Sequence, residues 1–257
     1  ATTAKAAILL PLFMVISAAM AVVLLGAGLT IPQLFLITAL LNAGVAIYIY
    51  TLVPEFLMRF LVWLLVHSIY RLDKDGIEQI PEEGAAVLVC NHVSFVDALI
   101  IAAACRRPIR FVMDHRIFRI PVLNFIFRTS KTIPIASGKE NPQLLEKAYD
   151  EIAAALLNGD LVGIFPEGRI TDTGDLYPFR PGISRIVNRT PVAVVPLALR
   201  GLWDSFFSRK GGAAMTDLKR IAPFKKISLV VGAPVPPHAV TPADLQSRVA
   251  ALRGDWR

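Results

Sequence analysis

The sequence is short of charge and shorter still of cysteine, and each shortage excludes a class of protein. Of 257 residues only 18% are charged while 54% are hydrophobic. A mean hydropathy of +0.56 is too high for an ordinary soluble domain of this length, so a membrane-embedded part is expected and a disordered chain is excluded. The two cysteines, Cys90 and Cys105, show neither CxxC spacing nor a set of histidine partners. That excludes a disulfide scaffold and argues against a metal site, and we read both as small buried hydrophobes. The 27 Lys and Arg outweigh the 20 Asp and Glu to give +7, a balance that suits anionic lipid, acidic substrates or nucleic acid. The apolar content decides against nucleic acid.

The largest single absence is of charge near the N-terminus, where positions 6–54, 49 in all, hold no charged residue. A spanning helix needs about 20 apolar residues, so the run divides into Ala6–Leu29 and Ile31–Val53, with Gly28, Thr30 and Pro32 marking the turn of a transmembrane helical hairpin. The second apolar segment follows the first at once, unlike the polar mature chain behind a cleaved signal peptide. Lys5 before the hairpin and Arg59 and Arg71 after it place both ends in the cytoplasm by the positive-inside rule. The rest of the chain is then expected on the cytoplasmic face of an inner membrane. Pro54–Tyr70 is apolar but interrupted by Glu55, Arg59 and His67, and with Trp63 and Tyr70 it reads as an interfacial helix. His67 is taken there as an amphipathic side chain at headgroup level, not a catalytic group. Two parts are thus expected, 1–70 (hairpin plus interfacial helix) and 71–257. The chain begins with Ala, which suggests a segment of something longer.

From Arg71 onward, short β-branched runs alternate with helical stretches and polar turns, the pattern of an α/β domain. Strands are expected at Ala86–Cys90, Ile109–Met113, Thr132–Ile135, Leu161–Phe165, Val192–Leu199 and Ile227–Val231, most of them continuous apolar runs like buried strands. Helices are expected at Asp97–Cys105, Phe118–Phe127, Pro142–Leu157 and Pro242–Leu252. The last two follow Asn141 and Thr241, capping residues placed before a proline at the first helical position, and Thr241 with Asp244 resembles a capping box.

Two segments offer chemistry. Cys90–Ala98 reads CNHVSFVDA at the end of the first buried strand, setting His92 in a strand-to-helix turn and Asp97 in the helix that follows. A histidine held in one tautomer by a carboxylate can take a proton from an attacking hydroxyl or thiol. With four histidines and 20 acids in the chain, one isolated H-x4-D is close to chance and would more often be structural. The second segment is FPEGRIT, Phe165–Thr171, directly after another strand, where α/β sheets place ligands. Gly168 permits close backbone approach, Glu167 can accept hydrogen bonds from hydroxyls, and Arg169 can hold a phosphate. Alone, it would be an ordinary polar turn.

Taken in order, NHxxxxD, a strand ending FPEGR, and a strand of the type VPLAL (Val195–Leu199) resemble the glycerolipid acyltransferase family that contains the lysophosphatidic acid acyltransferases, over roughly Gly76–Gly232. The segments Arg110–Arg128 and Gly201–Gly212 look more like the acyltransferase domain of bifunctional 2-acylglycerophosphoethanolamine acyltransferases, which in relatives is fused to a transporter and an acyl-carrier-protein synthetase. The resemblance implies a glycerol-3-phosphate acyltransferase-like mixed sheet flanked by helices, with His92 as general base and Asp97 orienting it. It also implies Glu167, Gly168 and Arg169 at the acceptor-lipid site, Pro196 shaping its wall, and direct attack of a glycerol hydroxyl on an acyl thioester. The acyl donor would be acyl-CoA or acyl carrier protein, the acceptor a lysophospholipid, and neither a metal nor another cofactor is implied. One departure stands out. The arginine that relatives place soon after an Ile-Pro-Ile strand is replaced by Ala136-Ser137-Gly138-Lys139, leaving Lys139, Lys131 or Arg128 to meet the phosphate, a weaker clamp suited to a phosphodiester. The rival reading is a non-catalytic lipid-binding tail of a lipid transporter, against which intact His92, Asp97 and Glu167 argue. His115 beside Asp114, and His238, read as turn and loop residues. The basic pairs Arg106-Arg107, Arg209-Lys210, Lys219-Arg220 and Lys225-Lys226 read as solvated faces, some meeting anionic lipid at ~1 kcal/mol each.

Overall fold

The computed structural model describes residues 15, 18, 19, 22, 23, 25, 26, 28–52, 54–119 and 121–256. The first arm of the expected hairpin, Ala6–Leu29, lies largely outside them. The segment expected as the second arm, Ile31–Val53, is covered by helix α1, Ile31–Leu52, started by Gln33, whose side-chain oxygen accepts from both the N–H and the hydroxyl of Thr30 at 2.9 Å. At 1.5 Å per residue its 22 residues span about 33 Å. Among the described residues it is one helix long and apolar enough to cross a membrane.

The chain divides into two compact units, residues 1–54 and 55–257. The boundary expected at residue 70 therefore falls before helix α2, Pro54–Ile69, and packing gives the reason. Val66 and the following Tyr70 are buried in the core, and Val62 and Ile69 lie against it. Their spacing of three to four residues makes one face of the helix a stave of the α/β unit. The opposite face exposes Phe56, Phe60, Leu61, Trp63, Leu64 and Leu65.

The second unit is built on a seven-stranded sheet: β1 Tyr70–Asp75, β2 Ala86–Cys90, β3 Ile109–Asp114, β4 Ile133–Ile135, β5 Leu161–Ile164, β6 Ala193–Arg200 and β7 Lys225–Val231, in the order β1-β7-β6-β2-β5-β3-β4. Neighbours are parallel except β6 and β7, so the sheet is mixed as expected. β2 lies near the middle and is buried at every residue, which is why it reads as AVLVC without alternation. Leu88 and Cys90 face one core, against α3 (Asp97–Ala104) and α2. Val87 and Val89 face the other, against α5 (Pro142–Leu157), α6 (Gly182–Arg189) and α7 (Pro242–Arg253).

Both proline-led helices are capped as expected, Asn141 accepting from Leu144 N–H at 2.9 Å and Thr241 from Asp244 N–H at 3.2 Å. The capping box is only half made, because Asp244 turns outward to Arg248 at 2.7 Å. The helix expected at Phe118–Phe127 is shifted: His115–Arg119 is a 3-10 turn and helix α4 starts at Pro121 and ends at Thr129. Proline belongs in a first turn, where its missing N–H has no helical partner. Strand β1, YRLDKD, was not legible as a strand. It is an edge strand with little burial, paired on one side with β7, so it carries neither an apolar run nor an alternation.

Candidate active site

Pairing in register brings the two motifs together. β2 and β5 are parallel neighbours with Val89 opposite Ile164, so the turns that follow them, one bearing His92 and the other Phe165–Thr171, leave the same edge of the sheet side by side. The His92 turn is anchored on its other flank by Asn91. The Asn91 amide donates to Leu199 O at 3.0 Å and accepts from Leu199 N–H at 2.8 Å, continuing the ladder to β6 by one side chain after the backbone has turned away.

Within the turn, Asp97 is wholly buried and collects four hydrogen bonds. Oδ2 accepts from the N–H groups of Val93 (2.6 Å) and Ser94 (2.9 Å) and from His92 Nδ1 (2.9 Å), and Oδ1 accepts from the Ser94 hydroxyl (2.5 Å). A carboxylate only accepts, so Nδ1 carries the ring proton and Nε2 bears the free lone pair. The His92 side chain is 21% exposed, and Nε2 has no partner among the described residues. The ring stacks on Phe165 with centroids 4.2 Å apart, and Phe165 lies over Phe111 at 6.2 Å. Gly163 leaves room for this arrangement, since a Cβ there would stand 2.6 Å from the Phe111 ring.

Glu167 is almost fully buried, and its oxygens accept from His92 N–H at 2.7 Å and Tyr177 N–H at 2.8 Å. Here it braces the His92 turn to the Tyr177 loop, its contacts being backbone amides. Burial pushes its pKa from 4.5 up to about 7, against the pull of those two N–H donors and of His92. Thr171 N–H donates to His92 O at 2.9 Å, a second tie between the motifs. Gly168 holds φ +68° and faces the Arg180 guanidinium, 2.7 Å from where a Cβ would stand. Arg169 is exposed, its guanidinium 3.6 Å above the Tyr177 ring, whose hydroxyl donates to Asp172. Beside the turn opens a cleft of about 600 Å3 lined by Phe95, Asp172, Arg209, Gly211, Gly212 and Met215, among others.

The three basic residues expected to replace the missing arginine are separated. Lys131 pairs with Glu55 at 3.4 Å, and Arg128 lines a shallow groove with Phe118, Arg119 and Phe125. Lys139 is exposed in the turn after β4. That strand pairs with the part of β3 that overhangs β5 toward the site edge. Among the described residues none of the three contacts His92, Asp97 or Arg169. Pro196 is buried in β6 opposite Val89, beneath the site. Both cysteines are buried and unpaired, and burial raises both thiol pKa values, that of Cys105 to about 12, so neither offers a thiolate. Asn91, Ser94, Phe165 and Tyr177 were not singled out from the sequence. Asn91 and Ser94 lie inside the CNHVSFVDA segment, whose buried polar positions are the signal that would have found them.

Residues 71–200 match the family described as Acyltransferase. The chain belongs to this family. Among acyltransferases it is 26% identical over 148 residues to the chloroplastic 1-acyl-sn-glycerol-3-phosphate acyltransferase LPAT1 of Arabidopsis thaliana, covering 57% of this chain and 41% of that one. It is 26% identical over 124 residues to the 1-acyl-sn-glycerol-3-phosphate acyltransferase of Borreliella burgdorferi, 48% of this chain and 49% of that one. The chain thus spans about half the length, or less, of these curated relatives. The crystal structure of the 1-acyl-sn-glycerophosphate (LPA) acyltransferase PlsC from Thermotoga maritima superposes with a TM-score of 0.56 at 21% identity, covering 71% of this chain and 70% of that one. At that identity the likeness is one of fold.

Proposed function

We propose that the protein is a lysophospholipid O-acyltransferase. It would move an acyl chain from acyl-CoA or acyl carrier protein to the free glycerol hydroxyl of a lysophospholipid, either lysophosphatidylethanolamine-like or lysophosphatidic acid. The observation that carries the reading is the His92–Asp97 pair: Nδ1 is tied to a buried carboxylate at 2.9 Å, and the exposed edge of the ring is left with a basic nitrogen. His92 Nε2 takes the proton of the acceptor hydroxyl as its oxygen attacks the thioester carbonyl. The C–O bond forms, the C–S bond breaks, and the same proton returns to the leaving sulfur. Asp97 stabilises the imidazolium between the two transfers. The Acyltransferase match over residues 71–200 and the names of the relatives support this class of reaction.

Arg169, exposed above Tyr177, is proposed as a phosphate contact of the acceptor. The apolar helix α1 and the apolar outer face of α2 support attachment to a membrane, and an inner membrane with the α/β unit on the cytoplasmic side is proposed from Lys5, Arg59 and Arg71 by the positive-inside rule. The test is acyl transfer by the full chain in detergent, with labelled acyl-CoA and acyl carrier protein against a panel of lysolipids. His92→Ala is expected to abolish transfer while the protein stays folded, a loss of about 10²- to 10⁴-fold for a general base. Arg169→Ala is expected to raise KM for phosphate-bearing acceptors more than it lowers kcat, and to leave uncharged glycerol acceptors unaffected. No transfer from either donor by a folded wild type would favour the non-catalytic lipid-binding reading.

A further inference from the structure

The segment between β6 and β7 holds apolar side chains outward where a solvated loop would turn them in. Leu218 is 71% exposed, Phe224 57%, Ile221 52% and Met215 48%, at three-residue intervals. Met215 and Phe224 adopt positive φ, 63° and 57°, which non-glycine residues rarely do. The segment is braced. The Arg220 guanidinium turns inward to donate to Lys210 O at 2.7 Å, to Ser205 O and to the Ser208 hydroxyl. Asp217 accepts from Lys219 N–H at 3.0 Å to start the turn Leu218–Arg220. These bonds fix a backbone from which the apolar side chains cannot fold back.

Residues 209–226 include six basic residues and a single acidic one. Lys219 is exposed with no ion-pair partner among the described residues, and Lys210 is exposed with Asp204 in electrostatic reach. A protein partner would favour few lysines at its contact, whereas exposed Leu, Ile and Phe interleaved with lysine match a lipid headgroup layer over acyl chains. Continuity within the unit points the same way. Phe224 N–H donates to Ile69 O at 2.7 Å, tying the segment to the end of α2, whose outer face is also apolar. On its other flank, Phe95 N–H donates to Phe207 O at 3.1 Å and Ser94 bridges Ser208, which joins the segment to the His92 turn.

We propose that residues 213–226 form a wedge that enters an anionic bilayer and seats the α/β unit on it, a membrane contact separate from the N-terminal apolar segment. The test uses the full chain reconstituted in phosphatidylcholine vesicles with and without phosphatidylglycerol. Because Cys90 and Cys105 are buried, Leu218→Cys takes a single environment-sensitive fluorophore, and Ile221→Cys repeats the measurement in case one substitution perturbs the turn. In anionic vesicles the label is expected to shift to the blue and to be quenched by lipids carrying a nitroxide high on the acyl chain. It should also be shielded from iodide at least about threefold relative to the same label at Lys147→Cys, exposed on α5. Lys210→Gln with Lys219→Gln is expected to weaken all three responses. A label as open to iodide as that at position 147 overturns the proposal, and so does one shielded from iodide yet blind to the nitroxide lipids, which would show protein covering the segment. Acyl transfer is not part of the readout, so failure here and failure of the acyltransferase reading are told apart.

Discussion

Replacing Asp97 by Asn separates charge from geometry. Three N–H donors converge on one carboxylate oxygen and the Ser94 hydroxyl on the other. An Asn that turns its carbonyl oxygen to the three donors presents its NH2 to Ser94 Oγ, which can accept in place of donating. The three N–H donors then keep their acceptor, the charge is lost, and the buried Ser94 hydroxyl gives up the acceptor of its own proton. When Nε2 takes the acceptor's proton, the imidazolium stands beside a carboxylate that is fully buried. Two unit charges about 4 Å apart attract by roughly 4 kcal/mol at an effective dielectric near 20. An amide keeps only the neutral part of that hydrogen bond, so about 3 to 4 kcal/mol of transition-state stabilisation goes, or about 10²- to 10³-fold in kcat. KM for the lysolipid should change little, because the lost attraction acts on charge that develops on His92 only as the proton is transferred. Single-turnover transfer from labelled acyl-CoA in mixed micelles measures this for D97N, H92A and the double variant. With no imidazolium to stabilise, D97N should cost nothing further in the H92A background. If it slows that background as much as it slows the wild type, Asp97 acts through the fold and the reasoning fails.

Three further outcomes are expected. Glu167→Gln should flatten the pH dependence of stability. With a folded value of about 7 against 4.5, the native chain holds a proton between those values that the unfolded chain has lost. The contribution is therefore fully present below about pH 4.5 and lost as pH rises through 7, by roughly 3 kcal/mol. Urea unfolding in detergent at pH 4 and pH 8 should show that difference in the wild type only, and an equal difference in both proteins would refute it. Gly163→Ala drives a Cβ to 2.6 Å from the Phe111 ring in a filled core, so thermal unfolding should report a loss of about 1 to 3 kcal/mol. Transfer should slow too, since Phe111 and Phe165 support His92, and Phe111→Leu in the same chain should recover part of both. Removing residues 1–53 should leave a folded α/β unit, whereas removing 1–69 strips Val66 from the core at about 1.5 to 3 kcal/mol, together with the partly buried Val62 and Ile69. Equal protease resistance of the two products would show that α2 is not part of that core.

The sequence by itself determined what depends on neighbours along the chain. The apolar continuity of Ala86–Cys90, the Asn-Pro and Thr-Pro starts of α5 and α7, and the long uncharged run at Ile31–Leu52 are local signals, and the structure carries an element at each. The NHxxxxD and FPEGR motifs were legible for the same reason, being short and following buried strands. Tertiary structure decided what depends on contacts distant in sequence. Strand β1 exists because β7 offers it an edge, and α2 joins the α/β unit because its inner face meets that core. Glu167 became a brace only when parallel pairing of β2 with β5 set it within 2.7 Å of a backbone amide 75 residues earlier. Asn91 likewise completes a ladder with Leu199, 108 residues away. Periodicity and capping are fixed within a helical turn or a strand, whereas strand order and the burial of a polar group are properties of the packed sheet, and no local pattern encodes them.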